Sequence, residues 1–171
     1  ATAGLGARNR GAAAMSGRLA AGAAVHEGNR LTVYLGAASG GVWKSMNGGT
    51  TYKPVFDKEH VQSIGAVTID PTNPKTIGVG TGESWTRNSV SIGDGVYKST
   101  DAGKTWTNLG LEESERIVKI IVDPSAPNTV YVCGPGRLWS DSHVRGVCKP
   151  PDGGRTGAAG GIPVSTGEAK S

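Results

Sequence analysis

Groups that do chemistry gather in the stretch Glu83-Ser84-Trp85-Thr86-Arg87-Asn88-Ser89, which closes at Asp94. A carboxylate, an indole and a guanidinium fall within five residues there. Two kinds of chemistry suit them. Trp85 offers a flat apolar face on which a sugar ring stacks, and Arg87, with Asn88 beside it, can clamp a carboxylate. Glu83 and Asp94 are the weak candidates for an acid and base, which a glycosidase needs about 5 Å apart if retaining and about 6.5–9.5 Å apart if inverting. A plain loop is the competing reading, with Arg87 paired to Glu83 or Asp94 and Trp85 packed underneath. The theme returns in Trp139-Ser140-Asp141-Ser142-His143-Val144-Arg145, where Trp139 and Arg145 are the binding candidates. Its recurrence favours a structural device, because a catalytic site is unique and a structural device repeats.

Other chemistries find little support. His26, His60 and His143 are far apart and belong to no ligand cluster, so no metal site and no cofactor is expected. Cys133 and Cys148 form no Cys-x-x-Cys pair and read as two separate thiols, a cross-strand disulfide being the alternative. Gly36, Gly40 and Gly41 precede no helix, which argues against a phosphate loop. The formal charge of +4 comes without a dense Lys/Arg run, so nucleic acid is not an expected partner. No run approaches the roughly 18 apolar residues of a membrane span.

The elements that must position these groups are strands. Glycine supplies 28 of the 171 residues and only 36% are hydrophobic, which suits short strands joined by tight turns. Leu31 to Leu35, Ile64 to Ile69, Thr76 to Thr81, Ile117 to Val122 and Thr129 to Cys133 are strand runs. Asp70-Pro71 and Asp123-Pro124 end two of them and lie 53 positions apart. Leu111 to Arg116, the one helical candidate, reads as a loop between repeats. Repeats of this length, each of about four strands, are the mark of β-propeller blades. The expected fold is all-β, a partial propeller of about two and a half four-stranded antiparallel blades. Blades are expected at 17–57, 58–110 and, incomplete, 111–157, flanked by a loose segment at 1–16 and a disordered tail at 158–171.

One corner recurs. It reads Ser99-Thr100-Asp101-Ala102-Gly103-Lys104-Thr105-Trp106 and, earlier, Ser45-Met46-Asn47-Gly48-Gly49-Thr50-Thr51-Tyr52. Asp101 or Asn47 accepts backbone N–H groups of its own turn. Gly103 or Gly49 takes a positive φ, and Trp106 or Tyr52 lies over the hairpin as a lid. The second strand of the later hairpin is expected from Lys104. A third copy keeps Asp152 and Gly154 but has Pro150-Pro151 for Ser-Thr and Gly157 for the aromatic. Its blade is therefore expected to lack a last strand.

This corner resembles the Asp-box, or bacterial neuraminidase repeat. Residues 15 to 150 as a whole resemble the bacterial glycosyl-hydrolase-like propellers, whose relatives include sortilin-type receptors, sialidases and xyloglucan hydrolases. The resemblance implies an exported protein, extracellular or periplasmic, that binds a protein or glycan. It also implies an alternative, a glycoside hydrolase whose active site other blades complete. Propellers close with about 4–8 blades, so the remaining blades of a longer chain are implied partners. Sialidases use three arginines. Arg18, Arg87 and Arg145 lie in successive units, but Tyr34, Tyr97 and Tyr131 fall inside strands, so no sialidase role carries over.

Overall fold

The computed structural model describes residues 18–85, 91–137 and 145–149, and the backbone of Gly161–Ile162. Three antiparallel sheets of four strands follow one another. Unit 1 holds β1 (Leu19–Glu27), β2 (Arg30–Ala37), β3 (Gly41–Ser45) and β4 (Lys53–Pro54). Unit 2 holds β5 (Ile64–Ile69), β6 (Ile77–Thr81), β7 (Val96–Ser99) and β8 (Thr107–Asn108). Unit 3 holds β9 (Lys119–Val122), β10 (Val130–Gly134), β11 (Gly146–Cys148) and β12 (Gly161–Ile162). Each sheet runs in simple meander order, and β5 packs on β1 and β2 as β9 packs on β5 and β6. Among the described residues the only helical turn is Glu112–Ser114, between units 2 and 3.

Register shows that the units repeat. The cross-strand pairs Gly36↔Val42, Gly80↔Val96 and Cys133↔Val147 occupy the same place in three sheets. Units 1 and 2 share a register shift at the head of the first strand, after Leu19 and after Ile64. The turns repeat too: Asp70 N–H donates to Thr76 O and Asp123 N–H to Thr129 O.

Packing follows from that register. Gly36 and Gly80 lack side chains because the next unit needs the space. A Cβ at Gly36 would collide with the Cγ2 methyl of Ile64, and one at Gly80 with the Cγ2 methyl of Ile117. Unit 2 therefore lies between two neighbours, and β6 is buried on both faces over most of its length. Units 1 and 3 bury one face each. In β2 Thr32, Tyr34 and Gly36 are buried, while Leu31, Val33 and Leu35 between them are half-buried. In unit 3 Ile120, Val132 and Cys148 are buried, while Tyr131, Cys133 and Val147 on the other face are half-exposed. Cys148 pairs with Val132 and Cys133 with Val147, so the two thiols stand on opposite faces and are free.

Two expectations need correction. Unit 3 does not lack its last strand: Gly161–Ile162 pairs with β11 and completes the sheet. Two residues are too short to show a periodicity, and their ladder is made by backbone alone. The expected segment 1–16 and the rest of the tail lie outside the described residues. Second, β8 begins at Thr107 rather than Lys104, because Asp101 Oδ1 accepts the N–H groups of Lys104 and Thr105, 2.9 Å each, and holds both residues in the turn.

Both described corners are built alike. In unit 2 Ser99 Oγ donates to Asp101 Oδ1 and accepts from Gly103 N–H; in unit 1 Ser45 does the same for Asn47 and Gly49. The lids differ. Tyr52 stays over Gly49 of its own turn. Trp106 lies near Gly103 but also reaches unit 1, where its indole N–H donates to Val55 O at 2.7 Å and its ring meets Phe56 edge-on. Asp152 and Gly154 lie outside the described residues.

Candidate functional site

In a meander the start of a first strand, the end of the second and the start of the third share one end of the sheet. Arg18, Glu83, Trp85, Asp94, Arg116, Arg137 and Arg145 all fall at such positions, so one rim collects them. The Asx corners and the Asp-Pro turns occupy the opposite rim.

Glu83 reaches the rim because Gly82 lets the chain turn there. Gly82 has φ +87°, and a Cβ on it would strike the Glu115 carbonyl. The loop after β6 thus lies directly against the strand start of unit 3, with Gly82 N–H donating to Ser63 O. Glu83, only 3% exposed, forms an ion pair with Arg18 of unit 1. The Arg18 guanidinium also lies over the Trp85 ring, 5.2 Å from its centroid. Trp85 itself is 66% exposed. The reading that packed it under the loop is therefore wrong: its face is open to solvent, and Arg18 orients it from one side.

Asp94 is held elsewhere. Its Oδ2 accepts the Tyr97 hydroxyl at 2.6 Å, and its Oδ1 accepts the Thr81 hydroxyl at 3.2 Å. The Tyr97 hydroxyl is pushed up to about 12, first by burial and then by this hydrogen bond. Glu83 and Asp94 are thus engaged by different partners, Glu83 by Arg18 and Asp94 by two hydroxyls. Arg87, Asn88 and Trp139 lie outside the described residues. Arg145 is placed but turned to the backbone: its Nε donates to Pro135 O and its Nη2 to Arg137 O, closing its own loop.

A third carboxylate went unnoticed in the sequence. Glu115 Oε2 accepts from Arg116 at 2.8 Å, and Arg137 Nε lies 3.4 Å from Glu115 Oε1. Glu115 adopts φ 54°, the left-handed region that costs a side chain strain. Arg116 is 4% exposed, and its Nε has no partner. A signal existed: arginine stands directly before the leading aliphatic residue of the unit in Arg18-Leu19 and Arg116-Ile117, with serine in the middle unit at Ser63-Ile64. Among the described residues no three His, Cys, Asp or Glu side chains gather as metal ligands, and no helix is long and apolar enough to cross a membrane.

No protein-family model and no curated protein matches the chain. Solved structures do. An ancestral GH74 enzyme matches with a TM-score of 0.60 at 24% identity, over 81% of this chain and 18% of its own. The GH74 xyloglucanase from Xanthomonas campestris matches with a TM-score of 0.54 at 17% identity, over 81% of this chain and 22% of its own. A GH74 enzyme from Niastella koreensis gives 0.48 at 25% identity, over 60% of this chain and 15% of its own. The chain spans less than a quarter of each of these proteins. At such identities the likeness is one of fold. With three meander sheets packed in sequence, the chain is an all-β partial β-propeller.

Proposed function

We propose that this chain is part of an exported Asp-box β-propeller that binds a glycan or protein at the arginine–carboxylate rim, completed by further blades. Trp85 carries the reading. A large indole face left two-thirds open costs solvation unless something covers it, and a sugar ring's apolar face suits it. Arg18, fixed by Glu83, stands beside that face as a donor to hydroxyl or carboxylate groups. Binding is favoured over chemistry because Glu83 and Asp94 already neutralise or accept from groups of the protein.

The alternative is a share in a glycoside hydrolase. It draws on the GH74 neighbours, one of which is a xyloglucanase, and on the rim's three carboxylates, Glu83, Asp94 and Glu115. One experiment separates the two. Xyloglucan oligosaccharides are titrated while tryptophan emission is followed, and reducing ends are assayed in the same samples. Saturable quenching that disappears in Trp85→Ala, without new reducing ends, supports binding. A flat titration in the native chain overturns it, and reducing ends lost in Glu83→Gln or Asp94→Asn establish the hydrolase instead.

A further inference from the structure

Where the Asp101 corner of unit 2 leans on the end of β4, the two units enclose a groove of about 470 Å³. That lies within the size range of small-molecule sites. Its walls are fixed to each other. Trp106 Nε1 donates to Val55 O, and the Tyr34 hydroxyl and Lys44 Nζ donate to Ala102 O at 3.2 and 3.0 Å. Both walls belong to consecutive units of this chain, so no other blade is needed to form the groove.

Charge sets what the groove accepts. The ammonium groups of Lys44, Lys58 and Lys104 line it, and among the described residues none of them is in an ion pair. Lys44 is the fixed one. It is half-buried, its Nζ lies 5.3 Å from the Tyr34 ring centroid, and after the bond to Ala102 O it has N–H donors left to give. Burial is the main cause that holds its pKa below the ordinary lysine value; the Lys104 charge adds to it, while Glu27 and Asp101 oppose it. Asp101 does not serve the lysines directly, because its carboxylate is taken up by Ser99, Thr105 and Lys104 N–H within its own turn. An anion laid against Lys44 and Lys104 supplies the counter-charge they lack.

The rest of the lining decides which anion. Pro54, Val55 and the Trp106 ring make an apolar wall that an inorganic anion would leave uncovered. Asp57 and Glu59 stand on the same groove and repel a ligand charged along its whole length, such as a sulfated or uronic-acid glycan. Backbone partners are scarce. The N–H groups of Ala102, Gly103 and Lys104 are donated to Lys75 O, Ser99 Oγ and Asp101 Oδ1, and the Val55 and Ala102 carbonyls already accept. A peptide or a neutral sugar would bring amides or hydroxyls against a wall with few groups left to bind them. What fits is one negative group on a flat apolar body.

We propose that the groove between units 1 and 2 binds a small aromatic carboxylate, its carboxylate on Lys44 and Lys104 and its ring against Trp106 and Pro54. Lys58, fully exposed, adds attraction that salt screens. The groove shares no residue with the rim, and the inference is independent of the rim's ligand.

Isothermal titration of the 171-residue chain with naphthoate tests it. Saturable binding is expected, with the uncharged naphthalenemethanol weaker by about tenfold or more. Lys44→Gln is expected to weaken naphthoate about tenfold, and Lys104→Gln severalfold, with circular dichroism unchanged. Asp57→Asn combined with Glu59→Gln is expected to tighten it severalfold, a gain that no loss of folding produces. A native chain that does not bind naphthoate overturns the inference, as does equal binding of the alcohol. Full displacement by sulfate marks a plain anion site and overturns the aromatic part. A Glu-rich peptide that binds more tightly than naphthoate overturns it in favour of peptide docking. Binding that none of the groove variants alters lies elsewhere on the molecule and overturns the site.

Discussion

The two internal joints share an inner contact and differ outside it. At both, an isoleucine methyl of one unit enters a glycine seat of the unit before it. Beyond that, joint 1–2 is aromatic and polar: Phe56 meets Tyr97 and Trp106 edge-on at 5.1 and 5.2 Å, and Trp106, Tyr34 and Lys44 donate across it. Joint 2–3 is aliphatic. Leu109, Leu111, Ile120, Val122, Val130, Val132 and Cys148 border a cavity of about 50 Å³. Gly110 stands where Phe56 stands in unit 1, and Gly157 occupies the sequence position of the lid. Register alone brings neighbouring sheets together; large side chains with a polar tip decide whether the joint is full.

Four substitutions break or sharpen this contrast. Trp106→Ala strips joint 1–2 of its lid and leaves the Val55 carbonyl unpaired, at an expected cost of about 3 kcal/mol in urea unfolding. Leu109→Ala, on the unit 2 side of joint 2–3, is expected to cost about 1 kcal/mol, because it borders space already empty. Equal losses would erase the distinction.

Tyr97→Phe comes next, at about 1 kcal/mol for the bond to Asp94. With the folded hydroxyl raised to about 12 against an ordinary 10, its contribution is full below about pH 10 and is lost as pH rises towards 12. Stability followed over pH 9–12 should fall more steeply in the native chain than in the Phe variant. Cys148→Leu should gain about 1 kcal/mol by filling the cavity of joint 2–3. A loss would mean that the space is not free to be filled.

The smallest effect concerns the corners. The hydroxyl and N–H of Thr105, then Ser99 and Lys104 N–H, hold the Asp101 carboxyl well below the ordinary range. Its contribution is present above about pH 4 and fades as the pH falls further. Asp101→Asn should remove that acid dependence and otherwise change little, since Asn47 builds the same turn in unit 1. A Tm profile from pH 2 to 5 checks both points.

The strand runs and the repeat were legible because β-branched alternation and Asp-Pro turns are local signals. β5 was found to the residue. What escaped were features without a local signature. The two-residue β12 has no pattern to read, and the reach of Trp106 into unit 1 is a tertiary contact. The rim was half legible: Glu83 and Trp85 announced themselves by composition, but the partner of Glu83 is Arg18, 65 positions away. Glu115 and Arg116 were read as loop, because their strain and burial arise only when Gly82 packs against them.

Register parity in the third hairpin has a consequence for how the chain answers an oxidant. With one thiol on each side of the sheet, air cannot staple β10 to β11. Cys148 is buried, and burial pushes its thiol pKa up, so it ionises less and reacts slowly. Cys133 is the half-open one, and any crosslink it makes would join separate molecules rather than fasten this one.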